Sequence, residues 1–204
     1  MASRNRAFTI VELLAVVTII GILAGLIFTG VEKSIENAKV TRTRATIHGL
    51  GVALTEFEHD FGAFDVEVGD GTAKIEMPVG PMHKSDSRTH EEMRIRLIRI
   101  LSGREMNSDG SFQVNQHIRQ DKMWNGPYLD PKAKELTPTN KGEFKIKYKA
   151  GQLVDAWGNP LMIQIKESDF GKQMKYRPDS FEIHSFGPNY KDEAGKGDDI
   201  NNWE

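Results

Sequence analysis

The chain has 204 residues, with 27 basic and 29 acidic side chains for a net charge of −2, and no cysteine. Bulk charge therefore gives no ground for binding nucleic acid or an anionic surface, and a disulfide framework is excluded. The length suits one domain of ordinary size with an appendage.

Residues 8–30 read FTIVELLAVVTIIGILAGLIFTG, an apolar run with Glu12 as its one ionisable residue. At helical rise such a run covers roughly 30 Å, the thickness of a bilayer core. Arg4 and Arg6 precede it, so the positive-inside rule leaves the N-terminus cytoplasmic and directs the rest across. A secretory signal peptide competes with this reading. Against it, the basic leader is short, the run is longer than a signal core, and no A-x-A site follows. A carboxylate in a membrane helix costs roughly 2.5–3.5 kcal/mol on insertion scales, so Glu12 either snorkels to the interface or has a dedicated partner.

The helical pattern continues past the apolar run. Val40, Ile47, Leu50, Leu54, Phe57 and Phe61 recur at spacings of seven, three, four, three and four, one stripe of a helix. Charged residues from Glu32 to Glu58 occupy other faces, and no proline precedes Pro78. A near-continuous helix over residues 8–61 would be about 80 Å long. Gly21 and Gly25 form a small-xxx-small pair that permits close helix approach or local flexibility. Gly49 and Gly51 weaken the helix, and Gly62 ends it.

Residues 64–77 alternate around Gly69-Asp70-Gly71 and predict a short hairpin. Thr89-His90-Glu91-Glu92 reads as a capping box opening a helix to Ser102, with Gly103 as its stop. Met93, Leu97, Ile100 and Leu101 give that helix its buried face, and Arg94, Arg96 and Arg99 read as a solvated face or a partner-binding strip. Residues 107–120 are polar and carry little signal, and a turn-rich unit begins at Trp124. Alternation and β-propensity predict strands over residues 143–149, 160–166 and 180–186. The expected fold class is α+β. A long N-terminal α-helix, membrane-spanning in its first half, is packed by a small antiparallel β-sheet head laid on the apolar stripe.

Residues 185–203 concentrate carboxylates and amides around glycines, and adjacent Asp198 and Asp199 repel each other unless a cation sits between them and loop carbonyls. Hard cations such as Ca²⁺ take six to eight oxygen ligands. An EF-hand is absent, and a solvated acidic tail is the competing reading. A small domain without disulfides gains most from such a clamp.

Arg6 to Leu14, RAFTIVELL, resembles the N-terminal signature of type IV pilins and type II secretion pseudopilins. The resemblance implies that a prepilin peptidase cuts between Ala7 and Phe8, and that the new N-terminus is methylated. It makes Glu12 the carboxylate that pairs with a neighbouring subunit's N-terminal amine during assembly. The family usually has glycine before the cut, where this chain has Ala7, which slows processing. Asp155-Ala156-Trp157-Gly158-Asn159-Pro160, Ser185-Phe186-Gly187-Pro188-Asn189 and Asp198-Asp199-Ile200-Asn201-Asn202-Trp203 resemble three elements of the major pseudopilin of type II secretion, and Trp124 with residues 126–129 resembles a fourth. In that family the C-terminal loop binds one calcium. Asp198 and Asp199 carry over as ligands, Asn189 stands where an aspartate is usual, and Asp192 compensates for the lost charge. Trp157 and Trp203 read as packing around the loop.

The resemblance implies a leader at residues 1–7, a transmembrane and assembly helix at 8–30, an amphipathic extension at 31–61, an inserted variable region at 62–123 and a β-rich head at 124–204. It places the chain as a single-pass inner-membrane subunit with its head in the periplasm. There it assembles into a homo-oligomeric helical filament with minor pseudopilins and an inner-membrane assembly platform, and helps export folded proteins. A type IV pilus subunit is the nearest alternative, and the absence of a C-terminal cysteine pair speaks against it. A membrane-tethered module capturing ligands through residues 64–123 is another. Catalysis is not expected, because the six histidines show no metal-protease spacing and no nucleophile elbow or phosphate loop occurs.

Overall fold

The computed structural model describes residues 9–64, 66–71, 74–76, 80–82, 88–107, 111–132, 135–137, 151–165, 176–177 and 180–204, with only the backbone for residues 24, 26–30, 74, 76, 80–82 and 88–90. Two compact units divide inside the first helix, residues 1–39 and residues 40–204.

Helix α1 (Ile10–Phe61) runs 52 residues without a break, as the lack of an early proline allows. In the first unit every described side chain from Thr9 to Ile35 is exposed, and Ile10 and Val11 keep 83% and 78% of their surface open. Among the described residues no helix is long and apolar enough to cross a membrane. The expected span at residues 8–30 includes Phe8 and the side chains of 24 and 26–30, which lie outside that set.

In the second unit the helix carries the core. Ile47, Leu50, Leu54 and Phe57 are at most 2% exposed, Phe61 is buried, and Val40 packs at the margin. The gap in the stripe is filled by Thr43, which is fully buried and accepts a 3.1 Å hydrogen bond at Oγ1 from the N–H of Ala156. Its methyl packs while its hydroxyl satisfies a loop donor, so the stripe is continuous at alternating steps of three and four. Gly51 faces the Phe181 ring, where a Cβ would stand at an ordinary contact distance of 3.4 Å.

The main sheet is antiparallel, in the order β3 (Gly80–Met82), β6 (Met162–Ile165), β7 (Phe181–Ser185), β8 (Ile200–Asn201). Every residue of β6 and β7 is buried. The predicted hairpin forms as β1 (Glu67–Gly69) and β2 (Lys74–Glu76), with Val68 opposite Ile75. A second two-stranded ribbon pairs β4 (Arg104–Met106) with β5 (Phe112–Val114), and β5 and the single turn α3 (Gln116–Arg119) lie in the stretch that carried little sequence signal. The strand expected over residues 143–149 lies outside the described residues. These elements make the chain an α+β protein.

Helix α2 (Arg88–Ser102) begins one residue ahead of the expected cap at Thr89. It buries Leu97, Ile98, Ile100 and Leu101 in the same core as the α1 stripe. Arg94 faces inward and is 1% exposed, donating from Nε to Gln152 Oε1 at 2.7 Å, so it belongs to no solvated face. The described residues of 62–123 are tied to the head where β3 pairs with β6 and the indole N–H of Trp124 donates to the Ile100 carbonyl at 2.9 Å. Within the stretch Gly69 N–H donates to Asp121 at 2.8 Å, and Phe64, Val68 and Ile118 belong to the common core.

Candidate functional site

The first turn of α1 closes on itself. Thr9 precedes the helix, and its Oγ1 accepts from Glu12 N–H at 3.2 Å while Glu12 Oε2 accepts from Thr9 N–H at 2.9 Å and from the Thr9 hydroxyl at 2.8 Å. This reciprocal pair is a capping box, T-x-x-E, and it satisfies two of the orphan donors of the helix start. Glu12 is therefore engaged with its own chain here. Ala7 and Phe8 lie outside the described residues.

The second site is built on a buried carboxylate. Asp155 is 4% exposed and gathers four donors: the N–H groups of Trp157 at 2.9 Å and Asn159 at 2.8 Å, the Asn159 amide at 3.0 Å and the Ser185 hydroxyl at 2.6 Å. The turn holding Trp157 and Asn159 is thereby fixed to the end of β7. Ser185 Oγ in turn accepts from Gly187 N–H at 3.0 Å, which sets the entry of the following loop. Gly187 has φ +61°, and a Cβ there would overlap the Asp198 carbonyl, so the two ends of the loop touch through a position only glycine fills. The pairing of β7 with β8, His184 opposite Asn201 and Ser185 opposite Ile200, closes the loop at its base.

Inside the loop the carboxylates are held in place by backbone donors. Asp198 Oδ2 accepts from Asn189 N–H at 3.0 Å, and its other oxygen meets the Asn189 side-chain amide. Asp199 is 9% exposed. Its Oδ2 accepts from Glu193 N–H at 2.9 Å and Gly195 N–H at 2.8 Å, while Oδ1 is buried with no hydrogen-bond partner among the described residues. Burial holds the Asp199 carboxyl above the usual carboxylate range, against the opposing pull of those N–H groups. Glu193 Oε2 accepts from Asp198 N–H at 3.2 Å. Tyr190 and Ala194 take left-handed backbone conformations, φ 61° and 55°, where non-glycine residues are uncommon.

Two groups of three donors result, His184 with Asp192 and Asp199, and Glu193 with Asp198 and Asp199, each with ligand atoms within 4.8 Å of one another. Asp199 belongs to both. Of the residues read from the sequence, Asn189 is bonded to Asp198, and Asp192 stands with His184 rather than with Asp198. Glu193 joins the acidic group although nothing in the sequence singled it out; its alignment depends on Gly197, whose Cβ would overlap the Glu193 carboxylate. Trp203 lies over Gly195 and stacks on Tyr176 at 4.7 Å, covering the loop as expected. An orphaned buried carboxylate oxygen beside two further carboxylates matches the all-oxygen donor set that a hard divalent cation takes. His184 and Ser185, adjacent on a strand, face opposite sides, with Ser185 committed to Asp155 and His184 to Asp192.

A profile of the prokaryotic N-terminal methylation motif matches residues 2–28. The chain carries that motif. It is typical of type IV pilins and pseudopilins, and it takes in Ala7, Phe8, Thr9 and Glu12 and leaves the head untouched. No curated protein and no solved structure matches the chain. The motif is one found on pilin-like precursors, and it is consistent with processing by a prepilin peptidase.

Proposed function

We propose that this chain is a subunit of a type II secretion pseudopilus, anchored in the inner membrane through residues 8–30 and carrying its head in the periplasm. The observation that supports the filament reading is the methylation motif at the start of a helix whose described apolar side chains from Ile10 to Ile35 stand exposed. A surface of that kind is stable only against lipid or against other apolar helices. In the assembled state Glu12 leaves its own Thr9 and neutralises the amine of Phe8 on the adjacent subunit. Giving up a capping interaction costs about 0.5–2 kcal/mol, which an ion pair in a lipid-like surrounding readily offsets.

Secretion is favoured over a pilus by the C-terminal loop, where a cation takes the place of a cysteine pair. Calcium is held by Asp198 and Asp199, with Asn189 and Asp192 at the loop's margins and Glu193 as a further carboxylate. Bound there, it removes the repulsion between neighbouring carboxylates and fixes the loop against β7 and β8.

The deciding experiment is quantitative mass spectrometry of the culture medium from wild type and a clean deletion. Loss of a set of secreted proteins from the medium, with their accumulation in the periplasm, supports the secretion role. An unchanged secretome with loss of surface fibres would reassign the chain to a pilus. A melting temperature that does not move on calcium removal would dispose of the clamp alone.

A further inference from the structure

We infer that the C-terminal loop holds a second cation position, formed by His184, Asp192 and Asp199, that takes a divalent transition metal of the zinc type rather than calcium. It shares Asp199 with the calcium reading but depends neither on that reading nor on filament assembly.

The first ground is the donor chemistry. Calcium takes oxygen, whereas an imidazole nitrogen beside two carboxylates suits zinc and its neighbours in the first transition row. The second is spacing. Two ligands of a tetrahedral zinc, at bond lengths of about 2.0 Å, stand roughly 3.3 Å apart. His184 Nε2 and Asp192 Oδ1 are 3.2 Å apart, and Asp199 completes the group within 4.8 Å.

The third ground is the state of Asp199. Its Oδ2 is fixed by the N–H groups of Glu193 and Gly195, so the carboxylate cannot turn away, and the buried Oδ1 has no hydrogen-bond partner among the described residues. A simple His184–Asp192 pair leaves that oxygen unexplained. A metal bound to all three with Oδ1 as the Asp199 ligand atom would satisfy it.

His184 is also held as a ligand should be. It sits on a central strand, 9% exposed, with its ring between Trp203 at 5.9 Å and Phe186 at 6.1 Å. Asp192 is 41% exposed at its side chain, so the position opens to solvent on that side and leaves room for a water as fourth ligand. The loop thus offers two donor groups that share Asp199, one containing a nitrogen and one of oxygens only.

The test uses the full chain in detergent, stripped with chelator and then titrated separately with Zn²⁺, with Co²⁺ as a visible-absorption probe, and with Ca²⁺. One zinc per chain should bind and raise the melting temperature. Partners that merely orient a ligand are worth about 10–100-fold in metal affinity, so His184→Gln should weaken zinc by at least roughly tenfold. Asp198→Asn should spare zinc and weaken calcium. Should His184→Gln misfold, the imidazole nitrogen shifts of His184 in the wild-type chain, read by NMR before and after zinc, give the same answer. Absence of zinc binding, zinc affinity unchanged in His184→Gln, or unmoved His184 nitrogens would each overturn the inference. Loss of the calcium response with zinc binding intact would remove the calcium reading and leave this one standing.

Discussion

Asp155→Ala tests whether the loop is organised from beneath by one carboxylate. Asp155 satisfies four donors, of which Asn159 at 4% exposure and Ser185 at 0% lie beyond the reach of solvent. Alanine leaves the Asn159 N–H without an acceptor and the Ser185 hydroxyl without its carboxylate, although that hydroxyl still accepts from Gly187 N–H. Each buried group left unsatisfied costs about 1–3 kcal/mol, so the substitution should cost about 3–5 kcal/mol in total. Trp157 N–H is half-buried and can find water, so it adds little. Asp155→Asn keeps one acceptor oxygen for the two backbone donors but sets its own amide against that of Asn159, and should cost about half as much. Urea denaturation of the full chain in mild detergent, followed by far-ultraviolet circular dichroism, measures both. A loss below about 1 kcal/mol for Asp155→Ala, or an asparagine variant worse than the alanine one, would refute this account.

Three other outcomes follow from the same geometry. Gly187→Ala combines a left-handed backbone, φ +61°, with overlap onto the Asp198 carbonyl; it should destabilise by about 1–3 kcal/mol in thermal melts and weaken calcium binding by calorimetry. Asp199→Asn should be neutral or stabilising in chelator at pH 7, because an amide oxygen still accepts from Glu193 and Gly195 while the buried charge is gone. The folded carboxyl sits above its ordinary 3.8, so the stability tied to its protonated form is present below that value and lost as pH rises through the raised one; the variant should lack that slope and also lack any gain from added calcium. Tyr128 donates to Asp60 at 2.9 Å, and burial, with help from Asp60, pushes its hydroxyl up to about 12 from 10. Stability present below pH 10 should therefore fall as pH climbs toward 12, and Tyr128→Phe should flatten that fall in denaturation measured at pH 9 and pH 11.5.

Much of this chain is legible in the sequence because its information is local. The stripe from Val40 to Phe61 fixes which face of α1 is buried, and the alternation around Val68 and Ile75 marks the hairpin. The two strands β6 and β7 declare themselves by β-formers alternating with polar residues, Ile163 and Ile165 around Gln164 and Phe181 and Ile183 around Glu182. The methylation motif is likewise a contiguous string, readable without any fold.

The tertiary structure decided what depends on distant pairing. Thr43 looks like a flaw in the stripe until Ala156, far along the chain, brings a donor to it. Arg94 sits among arginines on a helix, and its bond to Gln152, distant in sequence, accompanies its burial. Residues 62–123 lie where the resemblance gives no guide, and only the tertiary structure shows β3 pairing with β6 and Val68 and Ile118 entering the common core. At the loop, the sequence put Asn189, Asp192, Asp198 and Asp199 in one candidate set; only the folded chain adds His184 beside Asp192 and Glu193 beside Asp198. Periodicity along a chain records which side of an element is buried, but which charges meet is set by how the chain returns upon itself.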